Sequence, residues 1–149
     1  MSFLSPQDNK KMAKGLKKII RFHQSLIDEK RKVLGDFLNQ ASICDKQRQD
    51  FRANIKAEQD NVSNTTNMVA MFYGGYVAST YQKIKEIEVK IEELEVSIKN
   101  IQQEIILLFK EKKVFEITQN NQEKQVIKDE LKHEQVFLDE IGQEIHRRR

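Results

Sequence analysis

Eight consecutive apolar positions, Ile84, Ile87, Ile91, Leu94, Ile98, Ile101, Ile105 and Leu108, alternate spacings of three and four without exception. This is the heptad pattern of a coiled coil, in which every a and d side chain returns to one stripe of the helix. Downstream the stripe weakens, with Lys112, Gln119 and Gln122 on seam positions. Apolar residues reappear at Ile127, Leu131, Leu138, Ile141 and Ile145, out of phase with Val126. A phase shift unwinds a supercoil locally and a polar seam packs less favourably, so residues 116–126 are expected to be the softest part of the helix. The first half of the chain carries a second seam at intervals of seven: Ala13, Ile20, Ile27, Leu34, Ala41, Arg48, Ile55 and Val62. Its companions are Leu16, His23, Lys30, Phe37, Cys44, Phe51 and Glu58. A third row, Met12, Ile19, Leu26 and Val33, widens this stripe beyond a two-stranded seam, enough to cover a third segment or meet a partner.

Local signals bound these elements. Ser5 as N-cap, Pro6 at the first helical position and Asp8 facing the free amides predict the start of a first helix, running from about residue 6 to about residue 60. Gly15 and Gly35 lie inside it and cost about 1 kcal/mol each relative to Ala, as tolerated weak points. The polar run Asn61 to Asn67 opens a turn region, residues 61–79. Within it, two apolar arms flank Gly74 and Gly75, as in a β-hairpin or a short helix kinked at the glycines. A short helix or irregular cap is preferred, because a lone hairpin has no sheet to join. Ser79 followed by Gln82 resembles a capping box and predicts a second helix from about Thr80 to about His146, about 100 Å long at 1.5 Å per residue. The expected fold is all-α: one domain over residues 1–149, a long antiparallel two-helix coiled coil forming an α-hairpin rod.

Composition agrees with this and charge adds a register. Of 149 residues 33% are charged, eleven are aromatic and none is Trp, which argues against a compact globular core. Residues 1–34 carry nine Lys/Arg and three Asp/Glu (9 − 3 = +6), whereas residues 116–141 carry three Lys and seven acids (3 − 7 = −4). Opposite signs favour a chain folded back on itself, though each exposed pair stabilises little. The single cysteine, Cys44, excludes an intramolecular disulfide and reads as a small seam residue in a reducing compartment. Without a hydrophobic signal core or a long apolar run, the chain is expected to be soluble and cytoplasmic.

Candidate chemistry is sparse. The three histidines, His23, His133 and His146, show no paired metal-ligand spacing, and His23 and His133 fall on seam positions. There is no glycine-rich phosphate loop and no nucleophile elbow, and Glu92, Glu93 and Glu95 read as a solvated helix face. No enzymatic activity, cofactor or metal is expected. What remains is a basic group, Lys10, Lys11, Lys14, Lys17, Lys18 and Arg21, with Arg147, Arg148 and Arg149 at the other end of the chain. An α-hairpin brings both to one tip, and Lys10, Lys14, Lys17 and Arg21 share a face suited to phosphate, lipid headgroups or an acidic protein surface. Nucleic acid is not expected, because that tip lacks aromatics for base stacking.

The run Asp50, Phe51, Arg52, Ala53, Asn54, Ile55, the basic amphipathic start, the aromatic turn region and the closing Phe137, Leu138, Asp139, Glu140 resemble the FliJ family. These are small coiled-coil components of the bacterial flagellar type III export apparatus. The resemblance covers nearly the whole chain and implies a stalk-like rod that binds the hexameric flagellar export ATPase. It also implies contact with the cytoplasmic domain of the export gate and handling of export chaperones, at the flagellar base beside the inner membrane. On this sequence the ATPase-facing tip would include Lys14, Lys17, Lys18, Arg21, Asp139 and Glu140. The gate-facing end would include Gln40, Gln47, Phe51, Tyr73 and Tyr76. The Tyr73, Gly74, Gly75, Tyr76 arrangement also suggests a prefoldin-like chaperone subunit with strands between its helices, and a generic coiled-coil scaffold fits the same periodicity.

Overall fold

The computed structural model describes residues 5–62 and 67–148, with the side chains of Pro6, Val62 and residues 67–71 outside that description. The seam position Val62, the apolar arm Met68, Val69 and Met71, and the terminal Arg149 therefore lie outside what is described below. The chain forms two helices, α1 (Pro6–Val62) of 57 residues and α2 (Asn67–Arg148) of 82 residues. No strand occurs among the described residues.

α1 starts where its capping residues predict. The Asp8 amide donates to Ser5 Oγ at 3.2 Å, the Ser5 hydroxyl donates to Asp8 Oδ2 at 2.7 Å, and the Asn9 amide reaches the Ser5 carbonyl at 3.0 Å. Amides that the first turn cannot satisfy internally are thus satisfied.

α2 starts earlier than the capping signal at Ser79 predicts. It is already helical at Asn67 and runs through Gly74 and Gly75, with no glycine at positive φ. The expected turn region of residues 61–79 is therefore largely helix, and the hairpin around the glycine pair is not formed. The physical reason is that two interior glycines cost only about 2 kcal/mol together, less than opening and recapping a helix whose interior amides are already bonded. Thr80 is 3% exposed and its hydroxyl donates to the Tyr76 carbonyl at 2.8 Å, a bond made inside a continuous helix.

The two long helices pack against each other, and the chain divides into two compact units. One comprises residues up to Asp28 with those from Ile106 onward; the other spans Glu29–Ile105. In the second unit Lys30 pairs with Glu104 at 3.0 Å and Arg52 with Glu88 at 3.0 Å. In the first, Lys10 pairs with Glu130 at 3.2 Å and His23 Nε2 lies 3.1 Å from Glu111. Within each unit, then, partners on α2 descend as residues on α1 ascend. Among the described residues the buried hydrophobic side chains are Leu16, Ile27, Cys44 and Ile55 on α1 with Ile84 and Leu94 on α2, all on the heptad seam. Ile27 is wholly excluded from solvent, a burial that stabilises by about 1.5–3 kcal/mol.

Burial follows the heptad further than the apolar residues do. From Asn9 to Ile55 on α1, and from Tyr73 to Asp129 on α2, every position reached by alternating steps of four and three is buried or half-buried. The seam of α2 passes through Lys112, Gln119, Gln122 and Val126 without changing phase. The expected phase shift is therefore not one of packing: Ile127, Leu131, Leu138, Ile141 and Ile145 are all exposed. Two of the polar seam residues find partners across the helices, as Lys112 Nζ donates to Gln24 at 2.7 Å and Asn9 Nδ2 to Asp129 at 3.3 Å, whereas Gln122 keeps a buried oxygen without one. Glu58 and His133, both expected on the seam, are exposed, because the continuous buried seam among the described residues runs from Asn9 to Ile55 on α1 and from Tyr73 to Asp129 on α2.

Candidate partner-binding groove

Lys10, Lys14, Lys17 and Arg21, spaced by four, three and four, share one face of α1. Three of them converge in the first unit. Lys10, Lys14 and Lys17 edge a groove of about 380 Å³ whose floor is Ala13, Val126 and Ile127 and whose opposite edge carries Glu123. The groove exists because a small residue, Ala13, occupies a seam position between the larger Asn9 and Leu16, leaving space beneath the lysine stems.

Its lining charge is positive, three lysines against one glutamate (3 − 1 = +2). Lys10 is engaged with Glu130 at 3.2 Å, while Lys14 and Lys17 are exposed and have no ion pair among the described residues. An apolar floor under unpaired ammonium groups suits a segment that carries both an aliphatic side chain and a carboxylate.

The other expected tip residues lie elsewhere. Lys18 and Arg21 are exposed on α1 but do not line the groove. Asp139 and Glu140 are exposed on the far part of α2, where the Gln135 amide donates to Asp139 at 3.2 Å. The structure therefore brings Lys14 and Lys17 together, adds Lys10, and leaves the remaining four outside. The floor was missed in the sequence, although an alanine on a seam beneath a lysine row is a readable sign of it.

The residues expected to face an export gate all fall in the second unit. Gln40, Gln47 and Tyr76 are exposed. Phe51 is half-buried on the seam, with the Lys83 ammonium 5.8 Å from its ring centre. Tyr73 is also half-buried, its hydroxyl enclosed without a hydrogen-bond partner. Two of the five thus spend part of their surface on helix packing.

A further exposed surface belongs to the first unit. Every residue from 130 to 143 is exposed, Leu131 to 60% and Leu138 to 54%. No described residue of α1 buries them. Among the described residues no cluster of His, Cys, Asp and Glu is grouped to hold a metal ion, and no helix is long and apolar enough to cross a membrane. No protein-family profile matches the sequence, and no curated protein or solved structure is significantly similar to it.

Proposed function

We propose that this chain is a non-enzymatic accessory of a bacterial flagellar type III export apparatus, built as an antiparallel two-helix coiled coil. It would bind the export ATPase ring through the lysine face of α1, contact the cytoplasmic domain of the export gate, and assist export chaperones. The observation that carries the reading is the lysine-edged groove of the first unit, an exposed recognition surface on a scaffold whose heptads otherwise serve packing. The descending helix pairings and the resemblance of the sequence to the FliJ family support it as well. The prefoldin-like alternative loses its motivating feature, since Tyr73 to Tyr76 is helix, not strand.

The test is to mix the purified chain with the cognate export ATPase and follow ring formation and ATP turnover. Binding with enhanced assembly or turnover is expected; no binding and no change in either would sink the proposal. Within it, Lys14→Glu, Lys17→Glu and Arg21→Glu together should weaken ATPase binding at low salt. Unchanged affinity would remove this face from the contact while leaving the wider proposal standing.

A further inference from the structure

The third apolar row of α1 is used neither by the seam nor by the groove. Met12, Ile19 and Phe22 are exposed, Phe22 to 61%, and with Gly15 they follow spacings of three, four and three along one face. The ion pairs of the first unit fix which side of the helix pair this face occupies. Lys10 with Glu130 closes the side that carries the groove, whereas His23 with Glu111 closes the other, and Met12 and Ile19 flank the seam beside Leu16 and His23. On α2 the same side presents Val114, 61% exposed and three residues beyond Glu111. The Gln24–Lys112 contact sets Val114 level with Phe22 (24 + 112 − 114 = 22), whose ring leans edge-on against His23 with centres 6.1 Å apart. Lysines rim this apolar centre from both helices. Lys11 and Lys18 run beside Met12 and Ile19, and the Asn9–Asp129 contact sets Lys124 and Lys128 level with positions 14 and 10 (138 − 124 and 138 − 128). All four are exposed and have no ion pair among the described residues. The acids beside them are engaged, Asp8 by the Ser5 hydroxyl at 2.7 Å and Glu111 by His23 at 3.1 Å.

We propose that this face lies on an anionic lipid surface. Met12, Ile19, Phe22 and Val114 enter the boundary between headgroups and acyl chains, and Lys11, Lys18, Lys124 and Lys128 meet the headgroup anions around them. Two features choose lipid over an acidic protein. The apolar side chains protrude, and a partner helix would have to offer matching holes, whereas a fluid interface receives protruding side chains without a preformed complement. The unpaired cations also surround the apolar centre from both helices, so attraction and insertion act together along one plane, as in interfacial amphipathic surfaces.

This proposal does not rest on the export reading and uses none of the lysines that edge the groove, so the two can fail separately. Cosedimentation with vesicles of phosphatidylcholine containing phosphatidylglycerol tests it. Binding is expected at low salt, weaker as salt rises and absent from phosphatidylcholine alone. Lys11→Glu with Lys124→Glu should weaken binding roughly tenfold or more, and Phe22→Ser several-fold at unchanged charge, while far-ultraviolet circular dichroism stays helical. Lys14→Glu with Lys17→Glu, which alters net charge equally on the groove side, should weaken it less. Because the chain has no Trp, Phe22→Trp reports insertion directly: its emission should shift to the blue on anionic vesicles and be quenched by brominated acyl chains. A chain that ignores anionic vesicles at low salt would overturn the proposal. So would binding indifferent to Phe22→Ser, an unshifted emission from the Phe22→Trp chain, or an equal loss from the two lysine pairs, each of which would reduce the contact to diffuse attraction. Capture of polyglutamate by a chain that does not bind vesicles would overturn it in favour of an acidic protein.

Discussion

Gly74 and Gly75 show how little a residue's type says when its surroundings are unknown. Their pairing suggests a turn, yet both lie within α2, and a Cβ at either would meet nothing within 4 Å. Neither close approach nor positive φ requires them. Replacing Gly74 or Gly75 by Ala should therefore raise stability by up to about 1 kcal/mol each, read as a higher urea midpoint with unchanged slope. A loss of stability on either change would mean that the chain uses a conformation other than helix there. Gly15 and Gly35 are equally open, so the close helix approach that small residues permit is not their role. Cys44, by contrast, matches its sequence reading as a small buried seam residue.

Among elements, the seams separate what is apolar from what is buried. Asn9 is 0% exposed and Lys112 half-buried, though neither residue type announces a core position. Asn9 bonds Asp129, whose other oxygen accepts from Gln125 at 3.1 Å, so this layer is polar and satisfied. Such layers favour one register over its neighbours, because a slip leaves buried polar groups unpaired. Asn9→Ala should cost about 1 kcal/mol, at the lower end of the range for a lost buried partner, since Gln125 continues to serve Asp129. The urea midpoint measures it, and an unchanged midpoint would show that the layer contributes nothing to stability. The start of α1 was readable because its cap is local: Ser5 and Asp8 bond each other and their own backbone. The start of α2 was not, because Ser79 with Gln82 satisfies the same local rule inside a helix that continues from upstream.

For the whole molecule, amide exchange tests the division between hydrophobic and polar seam. Residues 84–108 present aliphatic side chains at every seam position, whereas 116–126 present Gln119 and Gln122, the latter with a buried oxygen lacking a partner. Exchange should be slowest across 84–108 and markedly faster across 116–126. Equal protection in the two segments would remove the expectation of a soft region. The exposed segment of residues 130–143 should exchange faster still.

The sequence by itself determined that this chain is helical, where its first helix begins and which faces carry heptads, because capping and periodicity are properties of neighbours along one chain. Only the tertiary structure decided which apolar stripe is core and which is surface. Leu94 and Leu138 look alike in the sequence, but Leu94 is buried on the seam of α2 and Leu138 lies where no described residue of α1 buries it. It also revealed the groove, which needs Ala13 from one helix and Val126 and Ile127 from the other, more than a hundred residues apart in sequence. Burial is a relation between two surfaces, and a single helix's pattern specifies only one of them.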